Sequence, residues 1–370
     1  MPPQACQSRQ AQRMETGRDE MTEQEASLLQ QEIREQPLVL ARLLREETAS
    51  VADIARELRP RDFPYVIIAA RGTSDNAATY AKYLFGAVNH LPVALAAPSL
   101  FTLYRRPPLL GDSLVIGISQ SGSSPDIVAV VDEGRRQGAA TLAITNTDDS
   151  LLAQAAEYVI RCHAGEERSI AATKTYTAQL TALALLSASL ANDAQRLDAI
   201  RRLPQALEQI MILDDEIQEG VARYRYMEHC VVIGRGYNYS TAFEIALKIK
   251  ELTYVLAQPY SSADFLHGPI ALVAEGFPAI IVAPQGRTYD DLLRLIHSLQ
   301  EKAAEMMVIS DRDEALASAK TPLRLPVCVE EWLSPVACVV PGQLVACHLA
   351  RTKGYHPDRP RGLRKVTRTF

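Results

Sequence analysis

YVIIAARG (65–72) and CVVIGRG (230–236) are two apolar runs that each end in glycine, and their spacing decides the fold. The closing glycines, Gly72 and Gly236, lie 164 residues apart. The same offset carries VIGISQSG, which ends at Gly122, onto IIVAPQG, which ends at Gly286. It also carries TLAITN (141–146) onto the run that reaches Ser310, and the short run 158–162 onto PLRLP (322–326). Four matches at one uninterrupted offset indicate an internal duplication. Within each copy, buried β-runs (65–70 and 114–118 in the first) alternate with helical stretches such as 76–88, 125–137, 173–191 and 240–256. That alternation predicts parallel βαβ units. The expected fold class is therefore α/β: two tandem doubly wound, flavodoxin-like domains with parallel sheets, their cores over roughly 45–195 and 205–370. The chain divides as a tail at 1–30, a first domain at 31–200 and a second at 201–370.

Composition agrees with that division. A chain of 370 residues suits about two domains. With 47% hydrophobic and 22% charged residues, it is neither broadly disordered nor a rod. A net charge of −5 offers no basic field for a polyanion, so nucleic acid is not an expected partner. The longest nearly apolar run, Ala182 to Ala191, falls well short of the roughly 20 residues a membrane span needs. Six dispersed cysteines with no C-x-x-C pair show neither a zinc knuckle nor a redox motif and fit a reducing cytosol. No transport signal is visible, so the expected setting is cytoplasmic, and neither a metal nor a cofactor is expected. Residues 1–20 are polar without an apolar stretch, which reads as a frayed tail or an over-long start, with Met14 and Met21 as other starts.

In doubly wound sheets, ligands sit beyond the carboxyl ends of the strands. There the first copy places Gly72, Thr73 and Ser74, and then Ser119-Gln120-Ser121-Gly122-Ser123-Ser124-Pro125. Pro125 suits the first helical position and Ser124 the N-cap. Hydroxyls, a close-approach glycine and a helix N-terminus together make a phosphate site that needs no lysine. The second copy has Ala283, Pro284 and Gln285 where the first has Ser119, Gln120 and Ser121, so one phosphate site is expected, in the first domain. The second copy carries ionisable groups instead. Glu244, Lys248 and Glu251 share one helix face opposite Ile245, Ile249 and Leu252, and spacing alone favours a solvated stripe. His267 precedes Gly268-Pro269 and is held by a stiff turn.

These segments resemble the SIS (sugar isomerase) domain family, and in particular the isomerase half of glutamine:fructose-6-phosphate amidotransferases. The matching segments are EIREQP (32–37), RGTSDNA (71–77), SQSGSS (119–124), IAATKTYTAQL (170–180), GRGYNYSTAFEIALKIKELTY (234–254), HGPIAL (267–272) and PDRPRGLRKVT (357–367). The resemblance implies that Ser119, Gln120, Ser121 and Ser124 bind a sugar phosphate with Thr73 and Ser74 nearby, and that Gly72 and Ala172 contact the substrate. It implies Glu251 as the acid/base between C1 and C2, His267 as the ring-opening group contributed across a homodimer interface, Lys365 as the amine that helps ring opening or forms an imine, and Lys248 as a supporting cation.

Two departures stand out: Leu266 replaces a lysine of the amidotransferase pattern and Ala172 a serine. Only about 30 residues precede the match, and Cys6 cannot serve as an amino-terminal nucleophile. The reading that results is an amino-sugar-phosphate isomerase/deaminase acting on glucosamine 6-phosphate. The alternatives are a fructosamine-phosphate deglycase or other ketose/aldose phosphate isomerase, an ammonia-dependent synthase, and a non-catalytic sugar-phosphate sensor.

Overall fold

The computed structural model describes residues 26–365. The first half runs α1 (Leu28–Arg34), α2 (Gln36–Leu58), β1 (Val66–Ala69), α3 (Thr73–Val88), β2 (Val93–Leu95), α4 (Ser99–Thr102) and β3 (Leu114–Ser119). It continues through α5 (Pro125–Arg136), β4 (Ala140–Thr145), α6 (Leu151–Ala155), β5 (Tyr158–Arg161) and α7 (Lys174–Leu190). Helices α8 (Ala194–Arg201), α9 (Leu203–Ile210) and α10 (Asp214–Val221) lead into β6 (His229–Gly234), α11 (Tyr239–Thr253), β7 (Leu256–Ser261), α12 (Ser262–Leu266) and β8 (Pro278–Val282). The chain then forms α13 (Tyr289–Glu301), β9 (Glu305–Ser310), α14 (Asp313–Ala317), β10 (Thr321–Arg324) and α15 (Ser334–Thr352).

Both sheets are parallel, with the orders β2-β1-β3-β4-β5 and β7-β6-β8-β9-β10, so the two halves share one topology. Strands β1, β3 and β4 are buried along their whole length, as continuous apolar runs covered on both faces must be. The duplication extends to hydrogen-bond register: Ile67 pairs with Val115 and Val231 with Ala279. One correction concerns the uninterrupted offset. Leu114 pairs with Ala140 but Pro278 with Glu305, one position later, because α13 has 13 residues where α5 has 12.

Helices α7 and α15 are buried nearly all round and fill the space between the sheets, as helices without a polar face do. A single apolar cluster joins the halves, with Leu183 of α7, Ile245 of α11 and Val336 of α15 among its members. The longest apolar stretch is therefore not Ala182–Ala191. Glu331–Thr352 is long and apolar enough to cross a membrane, but it is wholly buried as a core helix. At Gly342 of α15 an added Cβ would lie 2.3 Å from Ile245 Cγ1, so this glycine sets how closely α15 meets α11.

The helix expected over 240–256 stops at Thr253. Tyr254 turns left-handed (φ 61°), with its N–H on the Lys250 carbonyl, and Leu256 opens strand β7. Residues 1–25, including Cys6 and the alternative starts, lie outside the described residues, whereas Leu28–Gln30 of the 1–30 segment are already helical.

Helix α1 is tied to the second half at both ends. The Asp358 carboxylate accepts the amides of Leu28 (2.9 Å) and Leu29 (2.8 Å), meeting the positive end of the helix. Asp214 of α10 accepts Gln30 Nε2 (3.0 Å) and Arg34 Nε (2.8 Å), and its other oxygen lies 2.6 Å from His348 Nε2 of α15. Burial pushes the Asp214 carboxyl up, but hydrogen bonds from His348, Gln30 and Arg34 outweigh it and hold the pKa at about 2 against an ordinary 3.8. A lowered carboxylate pKa adds stability above the unfolded value and loses it as pH falls through the folded one. Asp214→Asn is expected to lower the unfolding free energy by about 2 kcal/mol at neutral pH. The gap from wild type should close between about pH 4 and pH 2 in denaturation curves recorded across that range.

Candidate active site

A cavity of about 360 Å³ opens where the carboxyl ends of β1 and β3 face α11 and the C-terminal segment. Its size falls within the roughly 300–1,000 Å³ typical of small-molecule sites. Strand β1 ends at Ala69, and three residues on Gly72, with a positive φ of 54°, starts α3 and presents Thr73 and Ser74 to the cavity. Strand β3 ends in the serine loop. There the Gly122 amide donates to Ser119 Oγ (3.1 Å), and the Ser121 and Ser123 hydroxyls stand 2.8 Å apart. Gly122 has φ 60°, and a Cβ there would lie 2.2 Å from Ser150 Oγ, so this turn excludes any side chain. Ser124 occupies the N-cap of α5, but its hydroxyl makes no bond to the helix amides, contrary to ordinary capping. That hydroxyl lines the cavity beside Ser119, Gln120 and Ser121.

The same place in the second half is closed from within. A Cβ on Gly286 would lie 2.4 Å from Glu331 Cδ, and Thr288 donates to Glu331 Oε1 from its amide (3.3 Å) and its hydroxyl (3.4 Å). The chain's own carboxylate sits where the first half leaves room for an anion.

The charged face of α11 is not solvated, which corrects the reading from spacing. Glu244 is 0% and Lys248 1% exposed, because this face is pressed against the start of α3. Glu244 accepts Asn76 Nδ2 (2.7 Å) and Thr73 Oγ1 (3.2 Å). Lys248 Nζ donates to Thr73 Oγ1 (3.1 Å) and Glu251 Oε2 (2.6 Å), and lies 3.5 Å from Glu244 Oε1. Burial alone would pull the Lys248 ammonium down, but Glu244 and Glu251 together raise its pKa above the usual lysine value. Glu244 is itself raised, since its burial exceeds the help it receives from Lys248, Asn76 and Thr73. Glu251 is the partly open end of this chain of charges, and it lines the cavity with Lys248.

Lys365 reaches the opposite lip, where its Nζ donates to Glu167 Oε2 (2.8 Å) and the Ser169 carbonyl (2.7 Å). Gly72, Thr73, Ser74, Ser119, Gln120, Ser121, Ser124, Ala172, Lys248, Glu251 and Lys365 thus meet in one cavity. His267 does not: it is exposed at the end of α12, away from these residues. The sequence reading overlooked Arg71, Thr175 and Gln179, which also line the cavity, as does Arg364 of the basic tail. Thr175 and Gln179 were legible as an i, i+4 pair inside KTYTAQL, and Gln179 Nε2 donates to Ser74 Oγ (3.0 Å). Among the described residues no three His, Cys, Asp or Glu side chains gather as metal ligands. Burial pushes the Cys230 thiol up to about 12 and that of Cys347 up to about 11, so neither is a poised nucleophile.

The SIS domain matches the chain twice, at residues 61–189 and 225–353. A glutamine–fructose-6-phosphate aminotransferase of Pyrococcus horikoshii is 35% identical over 90% of this chain and 56% of its own length. The chain therefore spans little more than half the length of such curated relatives. Among solved structures, a candidate phosphosugar isomerase from Silicibacter pomeroyi is 33% identical, with 90% of this chain and all of that one covered and a TM-score of 0.81. The C-terminal domain of a glucosamine-fructose-6-phosphate aminotransferase from Francisella tularensis gives 28% identity, 91% and 99% coverage and a TM-score of 0.83. A glucosamine-6-phosphate deaminase from Thermotoga maritima, at 21% identity, 93% and 100% coverage and a TM-score of 0.75, shares the fold.

The buried charges make a prediction of their own. Lys248→Met leaves Glu244 without its cation and is expected to cost about 3–5 kcal/mol of stability. Adding Glu244→Gln should recover most of that loss in chemical denaturation; a double variant no more stable than the single one would contradict the pairing.

Proposed function

The chain belongs to the SIS domain family, and on that premise we propose that it is an amino-sugar-phosphate isomerase and deaminase, converting glucosamine 6-phosphate and water to fructose 6-phosphate and ammonia. The observation that carries this reading is one cavity holding the serine loop, Glu251 paired to Lys248, and Lys365. The phosphate rests among Ser119, Gln120, Ser121 and Ser124 at the start of α5, where hydroxyls, amides and the helix dipole supply the attraction. In the open-chain sugar, Glu251 takes the C2 proton and returns it to C1, so the double bond moves from C1–O to C2–N. Water then adds at C2 and ammonia leaves. A carboxylate against a buried ammonium is well placed for such transfer, which contributes roughly 10²–10⁴ in rate. Lys365 polarises the ketone or imine from the other lip.

His267 fits ring opening only if a second copy of this chain brings it to the cavity, since within one chain it lies outside. The proposal therefore includes a homodimer with shared sites. A second reading has its own support: Arg71 and Arg364 line the cavity, and a fructosamine phosphate whose amine carries an amino acid could set its carboxylate against these guanidinium groups.

Purified protein is expected to release ammonia and fructose 6-phosphate from glucosamine 6-phosphate. Glu251→Gln should lower turnover by roughly 10²-fold or more while phosphate affinity stays nearly unchanged. Unchanged turnover in that variant would remove Glu251 from the mechanism, and turnover only with a fructosamine 6-phosphate would select the second reading. Mixing the inactive variants Glu251→Gln and His267→Ala should restore part of the activity, because a mixed dimer rebuilds one intact site; no recovery after subunit exchange would refute the shared site.

A further inference from the structure

Glu167 lies in the loop between β5 and α7, outside the set of residues that line the cavity, and its side chain is 0% exposed. Its Oε1 accepts the amides of Thr173 (3.0 Å) and Thr175 (3.1 Å), and its Oε2 accepts the Thr175 hydroxyl (2.8 Å) and Lys365 Nζ (2.8 Å). The second acceptor of Lys365 Nζ, the Ser169 carbonyl, belongs to the same loop. That loop is held in turn from α1: Glu32 accepts the amides of Arg168 (2.6 Å) and Ser169 (3.2 Å).

We propose that Glu167 is the positioning residue for the Lys365 amine, fixing where it stands at the lip of the cavity. The proposal rests on Lys365 acting in this cavity, as argued above. Three observations support it. Lys365 belongs to a segment without regular secondary structure, so its backbone alone cannot place a side chain of four rotatable bonds. The carboxylate cannot follow the lysine outward, because two backbone amides and a hydroxyl fix it at the start of α7. A buried carboxylate also needs a cation, and Lys365 is the one hydrogen-bonded to it among the described residues. A helix cap alone would account for the contacts to Thr173 and Thr175 but not for the ammonium on Oε2.

The test uses full-length protein and reductive methylation with formaldehyde, with the rate at Lys365 read by peptide mass spectrometry and exposed Lys302 as the internal reference. In Glu167→Gln, loss of a charge-assisted bond is expected to speed Lys365 methylation about tenfold relative to Lys302. Turnover of glucosamine 6-phosphate should fall about tenfold in kcat, with KM and the affinity for inorganic phosphate nearly unchanged. An unchanged Lys365 rate in folded Glu167→Gln overturns the proposal, as does a loss confined to thermal stability. Should that variant not fold, Glu167→Asp keeps the charge but draws it back by one methylene, and an unchanged rate there overturns the proposal equally. Lys365→Ala separates the two levels: full turnover in it defeats the functional reading, while the methylation rates still decide whether Glu167 holds the amine.

Discussion

The Lys248 ammonium, buried between Glu244 and Glu251 and bonded to Thr73, is the interaction on which the arrangement of the two halves depends. Each half has a sheet of its own, and apolar packing among α7, α11 and α15 would join them without specifying a register. Charges do specify it. A lysine taken out of water is tolerated only where acceptors surround it, and those acceptors come from both α11 and the first turn of α3. The bond from Lys248 to Thr73 therefore helps set Glu251 of the second half across one cavity from the serine loop of the first. The same lysine holds Glu251 by a 2.6 Å bond, so the group proposed to move protons is anchored by the side chain that also reaches Thr73 of the first half.

Duplication explains why only one of two equivalent strand ends is open. In the first half, Gly122, Ser119 and the start of α5 form a polar hollow; in the second, Glu331 fills the matching hollow and takes the Thr288 amide and hydroxyl. The electrostatic demand of the helix N-terminus is the same in both copies. One copy meets it with its own carboxylate, and the other leaves it facing an open cavity. Glu331 adjoins Trp332, whose carbonyl accepts the Tyr80 hydroxyl of α3 (2.9 Å), so the closed hollow has become part of the joint between the halves.

What the sequence made legible follows from which interactions are local. The β-runs and the serine loop are contiguous signals, and topology, the correspondence of β1 and β3 with β6 and β8, and the gathering of Ser119, Gln120, Ser121 and Ser124 at one strand end were read from them. Strand β2 was missed because Val93–Leu95 is short and partly exposed, and the start of β7 because Val255 and Leu256 extend the apolar pattern of α11 past Tyr254, where the helix breaks. The face of α11 was misjudged for a different reason: i, i+4 spacing shows which side chains share a face but not what covers it. The links from Glu167 to Lys365 and from Glu32 to the Arg168 amide were not legible, since those partners lie 198 and 136 residues away.

Those distant partners form a closed circuit around the cavity. Asp358 of the C-terminal segment caps α1, α1 sends Glu32 to the 168–169 amides, that loop holds Lys365, and Lys365 is seven residues from Asp358 along the same segment. Between them, Arg361 stacks on Tyr254, three residues beyond Glu251, with its guanidinium carbon 3.8 Å from the ring centre. Such a ring of contacts has no free end: displacing α1 would strain the C-terminal segment at Asp358 and the Lys365 loop at Glu32 together. The precision of the amine is thus not supplied by the doubly wound domains alone. It comes also from short segments at the two ends of the described chain, which hold each other in place through Asp358 and the 168–169 loop.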